Sequence, residues 1–203
     1  DGWKLAIRRL QAYPVVVIAL AASFGAPLLP ILNVHSFTID ISGRSSRGKS
    51  TTVQITMSVW ADPSPLGHAI GTWKSGLIMI EKRLNLVRGL PTVLDETRVV
   101  KDPGIVDQVL YQVPMNQGTA RGGGYPSELP WHTILLSTGE QPALSFTSHE
   151  GAAARILSLR RPPFGTAGQA SADDATSLTE AIGEHHGVAG PAFIGKLQQL
   201  LAE

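Results

Sequence analysis

Gly43-Arg44-Ser45-Ser46-Arg47-Gly48-Lys49-Ser50 decides how the rest of the chain is read. The segment fits G-x-x-x-x-G-K-[ST] at every fixed position. Its glycines allow a tight turn and a close backbone approach to an anion. Successive N–H groups then point inward, and the helix that follows adds its positive N-terminal end. In such a loop the lysine, Lys49, neutralises the β- and γ-phosphates of ATP, and the hydroxyl of Ser50 serves Mg2+. Gly43, Ser45, Ser46, Arg47, Gly48, Lys49, Ser50 and Thr51 are therefore the residues expected to touch the nucleotide.

The flanks agree with this reading. Residues 37–41 (FTIDI) alternate as a strand does, and residues 49–60 run on as a helix until Asp62-Pro63-Ser64-Pro65 stops it. Upstream, residues 3–12 and 15–24 read as two helices separated by Pro14. Downstream, residues 75–88 carry apolar side chains at helical spacing, with Gly89 as the cap. Residues 92–95 form an apolar strand, 104–113 a helix, 118–130 a Gly/Pro-rich loop or hairpin, and 132–137 and 155–159 two more strands. A Pro/Gly-rich linker over 161–171 leads to closing helices at 174–186 and 191–202. Strands that alternate with helices predict an α/β fold, a three-layer sandwich around a largely parallel sheet. The expected division is 1–32 for N-terminal helices packed on the core, 33–160 for the core, and 161–203 for linker and C-terminal helices.

Composition bounds the partners. Hydrophobic residues make up 43% of the 203 and charged residues 16%, which is a globular balance. Net charge is +1, so any nucleic-acid contact must come from a local patch. There is no cysteine, which excludes disulfides and thiolate metal sites and fits a cytoplasmic location. The apolar run 15–26 is shorter than the roughly 20 residues of a membrane-spanning helix, and no membrane association is expected. The chain opens on Asp1, so it reads as a domain cut from a longer protein.

Pro91-Thr92-Val93-Leu94-Asp95-Glu96 is an apolar strand ending in two acids. Asp95 is the expected partner of Mg2+ or its water, and Glu96 the group that polarises the attacking water. Asp95-Glu96-Thr97-Arg98 lacks the Asp-x-x-Gly of small GTPases and favours a motor or switch ATPase. Residues 132–140 (HTILLSTGE) carry Ser137 and Thr138 at the end of the apolar strand, where ring ATPases of the additional-strand type have a polar residue that contacts the γ-phosphate and the lytic water. Either residue can fill that role. Arg155 opens the next strand, a place from which an arginine reaches a neighbouring subunit's γ-phosphate, with Arg160 and Arg161 as rivals.

Residues 43–63 (GRSSRGKSTTVQITMSVWADP) resemble the G-x-S-S-x-G-K-T…A-x-x-x-W-G-D-P block of the domain of unknown function 927 family. The likeness continues through Trp73-Lys74-Ser75-Gly76-Leu77, Leu94-Asp95-Glu96, Asn116-Gln117-Gly118-Thr119-Ala120-Arg121, residues 136–140 and residues 186–193. That family comprises predicted helicase ATPases of phages and mobile elements, often joined to primases. The resemblance implies an AAA+-like core, related to superfamily 3 and MCM-type helicases, that forms homo-oligomeric rings, usually hexamers. It also implies that the 118–130 segment projects into a central pore, where Arg121 and Tyr125 would meet single-stranded DNA. Family members often carry a lysine where this chain has Thr119. The reading favoured is an ATP-driven helicase or DNA translocase, and the alternative is a non-motor ATPase switch that assembles on a partner.

Overall fold

Leu135 and Leu136 face opposite ways along one strand, and both are completely buried. Such a strand must lie inside a sheet covered on both faces, the hallmark of parallel sheets. The computed structural model describes residues 2–120, 129–147, 149–166 and 168–203. Its sheet has the strands β1 (Phe37–Ser42), β2 (Gly71–Thr72), β3 (Thr92–Asp95), β4 (Ile134–Gly139) and β5 (Ile156–Leu159). They lie in the order β2-β3-β4-β1-β5, and every pairing is parallel.

The helices are α1 (Gly2–Ile7), α2 (Pro14–Gly25), α3 (Lys49–Met57), α4 (Leu77–Leu86), α5 (Pro103–Gln112), α6 (Glu150–Ala153), α7 (Gln169–Glu184) and α8 (Ala189–Ala202). On one face of the sheet, Ile39, Ile41, Val93 and Leu136 pack against Val15 and Ala19 of α2 and Val53 and Met57 of α3. On the other, Leu94 and Leu135 pack against Ile80 and Leu84 of α4 and Val106, Val109 and Leu110 of α5. The result is the expected three-layer α/β sandwich. A third apolar cluster joins Trp3, Leu10, Val16 and Leu20 to Ile55 of α3, Val59 just past it, Phe164, and Leu178 and Ile182 of α7. Helices from both ends of the chain thus bury the back of the helix that follows the Gly/Ser loop. Among the described residues no helix is long and apolar enough to cross a membrane.

Local chemistry shifts several expected boundaries. The helix expected over 3–12 tightens to a 3-10 turn at Arg8–Ala12, because Pro14 begins the next helix and its predecessor Tyr13 leaves the helical region (φ −122°, ψ 80°). The expected linker is shorter, since the Ser171 hydroxyl bonds the backbone of Gly168 and starts α7 at Gln169. α8 starts at Ala189, with Pro191 in the first turn, where a missing N–H costs nothing. The two-residue β2 carries no periodicity to read. It exists because Gly71 and Thr72 pair with Leu94 and Asp95.

One acid lies inside this sheet. Asp40, in the middle of β1, is fully buried, and its Oδ2 accepts the Ala143 N–H at 3.0 Å, tying the turn after β4 to the central strand. Burial raises its pKa above the ordinary 3.8, opposed by the Ala143 amide, the Ser42 hydroxyl and the charge of Arg160. A raised carboxyl stabilises the fold at low pH, and that contribution is lost as pH rises through the folded-state pKa. Asp40→Asn keeps an acceptor for Ala143 and removes the charge. It is expected to raise Tm at neutral pH by about 2–4 °C, the shift that about 1 kcal/mol produces in a domain of this size. The gain should vanish as pH falls to the ordinary aspartate range, which calorimetric melting across pH will check.

Candidate functional site

All five strands point the same way, so their C-terminal ends form one edge of the sheet, where α/β folds bind ligands. The segment 43–48 leaves β1 at that edge. Its backbone has positive φ at Gly43 (149°), Ser46 (57°) and Gly48 (79°). That sequence of conformations turns successive N–H groups toward one concavity. Lys49, 7% exposed, begins α3. Its Nζ donates to the carbonyls of Gly43 and Arg44, both at 2.9 Å, so the ammonium is held against the loop. Thr52 donates from Oγ1 to the Gly48 carbonyl at 2.7 Å and closes the first turn.

β3 delivers its acids to the same edge. Ser50 Oγ lies 3.2 Å and 3.4 Å from the two carboxylate oxygens of Asp95. Thr138 Oγ1, at the end of β4, donates to Asp95 Oδ1 and accepts the Glu96 N–H at 2.9 Å. One hydroxyl thereby fixes both neighbours of the Asp-Glu peptide. Glu96 has φ 62° and ψ 88°, an uncommon backbone for a residue with a Cβ, and such strain collects at functional sites. Its carboxylate accepts the Arg98 N–H at 3.0 Å, and the Arg98 guanidinium pairs with Glu140 at 3.2 Å. Ser137 faces the other way, fully buried, and accepts a 3.1 Å hydrogen bond from Trp73 Nε1. Of the two strand-end hydroxyls, only Thr138 reaches Asp95.

A hydroxyl beside a carboxylate is an oxygen donor set of the kind Mg2+ takes with substrate phosphates as its other ligands. Among the described residues no cluster of three or more His, Cys, Asp or Glu could hold a metal alone. The donors fit a metal that arrives with a polyphosphate.

The structure keeps Arg155 away from this edge. It precedes β5, and its carbonyl accepts the Thr38 N–H at 3.0 Å, at the start of β1. About four residues of strand, roughly 13 Å, separate it from the Gly/Ser loop of its own chain. Its guanidinium donates to the Gly151 carbonyl at 3.1 Å. The rivals Arg160 and Arg161 follow β5 and sit at the loop edge instead. With Arg44, Arg47 and Lys49 they line a cavity of about 450 Å3. Phe164 was not legible as part of the site. Its ring contacts Gly48 and packs against Tyr13 at a tilt of 55°, centroids 5.0 Å apart, and the Tyr13 hydroxyl donates to Asp174 of α7.

Arg121 and Tyr125 lie outside the described residues. The chain on either side of them is well anchored. Gln117 and Pro130 form an antiparallel bridge, and Gly118 N–H donates to the Leu129 carbonyl at 3.1 Å. Thr119 is held by Glu81, which accepts its N–H at 3.0 Å, and by Gln112, which donates to its hydroxyl at 2.8 Å.

This fold is that of the P-loop NTPases, with one strand, β4, inserted between the strand that precedes the loop and the strand that ends in Asp95. A family model described as "Domain of unknown function (DUF927)" matches residues 1–125, and the chain belongs to that family. Among solved structures it is similar to one titled "SCCmec type IV Cch - active helicase". That match has TM-score 0.76 and 21% identity, and covers 97% of this chain and 37% of the other. The chain therefore spans little more than a third of that protein. NtrX from Brucella abortus in complex with ADP aligns at TM-score 0.44, with 16% identity over 77% of this chain and 36% of the other. No curated protein matches.

Gly48 carries two constraints, a left-handed backbone and the Phe164 ring, which would lie 2.4 Å from an added Cβ. Gly48→Ala is expected to destabilise the fold. In a double-mutant cycle with Phe164→Ala the two losses should fall short of additive, with a coupling of about 0.5–3 kcal/mol. Urea denaturation of the four proteins will measure it.

Proposed function

We propose that residues 43–51 bind ATP with Mg2+ and that the chain hydrolyses it, as the core of a ring-forming helicase or DNA translocase. The observation that carries this reading is the convergence of Lys49, Ser50, Asp95, Thr138 and Glu96 on one edge of the sheet. The backbone N–H groups of the loop cradle the phosphates, and Lys49 exchanges its two carbonyl partners for phosphate oxygens. Ser50 and Asp95 would hold Mg2+, which would supply charge neutralisation on the phosphates. Asp95 stays oriented by Thr138 and would hold the metal directly or through a water. Thr138 is also the sensor of the terminal phosphate, while Ser137 serves the core through Trp73. Glu96 acts as general base. Its carboxylate first leaves the Arg98 N–H, a rotation favoured once a water and a phosphate offer stronger partners.

The motor part of the proposal rests on likeness and on surface chemistry. The solved structure similar over nearly the whole chain is titled an active helicase. Beside Arg155, the exposed Val34 and Leu157 line one surface hollow with it, an apolar surface suited to a second copy. From there Arg155 would complete the site of the next subunit in a ring. Arg121 and Tyr125 would meet single-stranded DNA in the pore.

ATP hydrolysis by the full-length protein, assayed with and without single-stranded DNA, tests the whole reading. DNA is expected to raise the rate, and a rate indifferent to DNA favours the non-motor switch. Lys49→Ala should abolish ATP binding in calorimetric titration. Glu96→Gln should bind ATP normally and turn over about 100-fold or more slowly, the scale of general-base catalysis. Mixing Lys49→Ala with Arg155→Ala subunits should restore part of the activity, because some interfaces then join an intact loop to an intact arginine. No recovery in verified mixed rings would assign Arg155 a role within its own subunit.

A further inference from the structure

The sheet order gives the loop after β1 two unlike flanks. Toward β4 and β3 stand Asp95, Glu96 and Thr138. Toward β5 stands the cavity of about 450 Å3, whose lining includes Arg44, Arg47, Lys49, Arg160 and Arg161 and, among the described residues, no acid. We propose that Arg160 and Arg161 form a second anion-binding flank that grips, in cis, the diphosphate portion common to ATP and ADP. The proposal rests on the reading of residues 43–51 as the nucleotide site.

Register explains how the arginines arrive there. Leu159 stands opposite Ile41, so Arg160 and Arg161 run alongside Ser42 and Gly43 as the loop begins. A Cβ on Gly43 would lie 4.0 Å from the Arg160 carbonyl, so the two backbones are in contact range. The chain beyond is fixed as well, because Phe164 is pinned between Gly48 and Tyr13. The backbone that carries the arginines is thus fixed by strand pairing on one side and aromatic packing on the other.

Among the described residues their charge is met only through space, by Asp40 acting on Arg160. Among the described residues, Arg44, Arg47, Arg160 and Arg161 form no side-chain hydrogen bond or ion pair. Asp40 attracts Arg160 from inside the sheet, but its Oδ2 is committed to Ala143. Like charges gathered on one cavity repel, and an anion with several oxygens relieves that repulsion while offering each guanidinium two acceptors. The terminal phosphate must face Ser50 and Asp95 on the opposite flank. The phosphates left for the β5 side are the inner two, so the grip persists after hydrolysis.

Calorimetric titration of the full-length protein with ADP, and with ATP in EDTA, tests this. The double variant Arg160→Ala/Arg161→Ala should lose about 10- to 100-fold in affinity for both nucleotides alike, the effect of one or two charge-assisted bonds. Arg160→Lys/Arg161→Lys should recover part of the loss, since charge returns without the planar fork. That pair also serves if the alanine variant does not fold: parent-like affinity in a folded lysine variant would overturn the bidentate grip. ADP binding unchanged in the alanine variant, with Lys49→Ala abolishing it, would overturn this flank and leave the loop reading intact. ADP binding that survives Lys49→Ala would overturn the loop reading itself. A loss seen only in assembled protein and absent from dilute monomer would assign the arginines to a neighbour's site and overturn the cis grip.

Discussion

The hydrogen bonds that hold β4 between β1 and β3 are the constraint on which the site depends. Without that insertion the loop after β1 would neighbour the Asp95-Glu96 peptide directly. With it, Thr138 stands between the two motifs and holds the Asp95-Glu96 peptide, through its bond to Asp95 and its acceptance of the Glu96 N–H. Parallel pairing sends every strand end to one edge, so chemistry collects there and the opposite edge is left to Arg155. Because such a sheet must be covered on both faces, α2 and α3 are needed on one side and α4 and α5 on the other. Layering and site are two consequences of the same pairing.

A second consequence is that the loop is not isolated from the ends of the chain. Phe164 presses on Gly48, Tyr13 presses on Phe164, and Tyr13 is bonded to Asp174 of α7. Trp3 donates to Ser58 just past α3 at 2.9 Å, and Trp60 donates to Ser23 of α2 at 2.9 Å. These contacts join the loop and the helix after it to the terminal helices. The base of the 118–130 segment is tied in turn to α4 and α5 by Glu81 and Gln112.

Much of this was legible in the sequence. The motif at 43–50, the acidic strand end at 95–96 and four of the five strands follow from patterns of a few residues, because local backbone chemistry dictates them. What was missed has no local signal. β2 is two residues long and exists only by pairing with β3. Trp73 and Ser137 meet across 64 positions, and no spacing announces that bond. Arg160 and Arg161 were weighed as groups that reach outward. Only the register of β5 on β1 reveals that they border their own loop.

The sequence by itself determined which residues can turn, cradle an anion or carry a carboxylate, since glycine, lysine and Asp-Glu have those properties wherever they stand. It also determined the alternation of strands and helices, because hydrophobic period is a local property. The tertiary structure decided which hydroxyl faces Asp95, which end of the sheet holds Arg155, and which arginines lie beside the loop. Those choices depend on strand order and on which face of the sheet a residue meets. Both are set by long-range pairing and by the burial of two faces at once, and neither is written into any short stretch of chain.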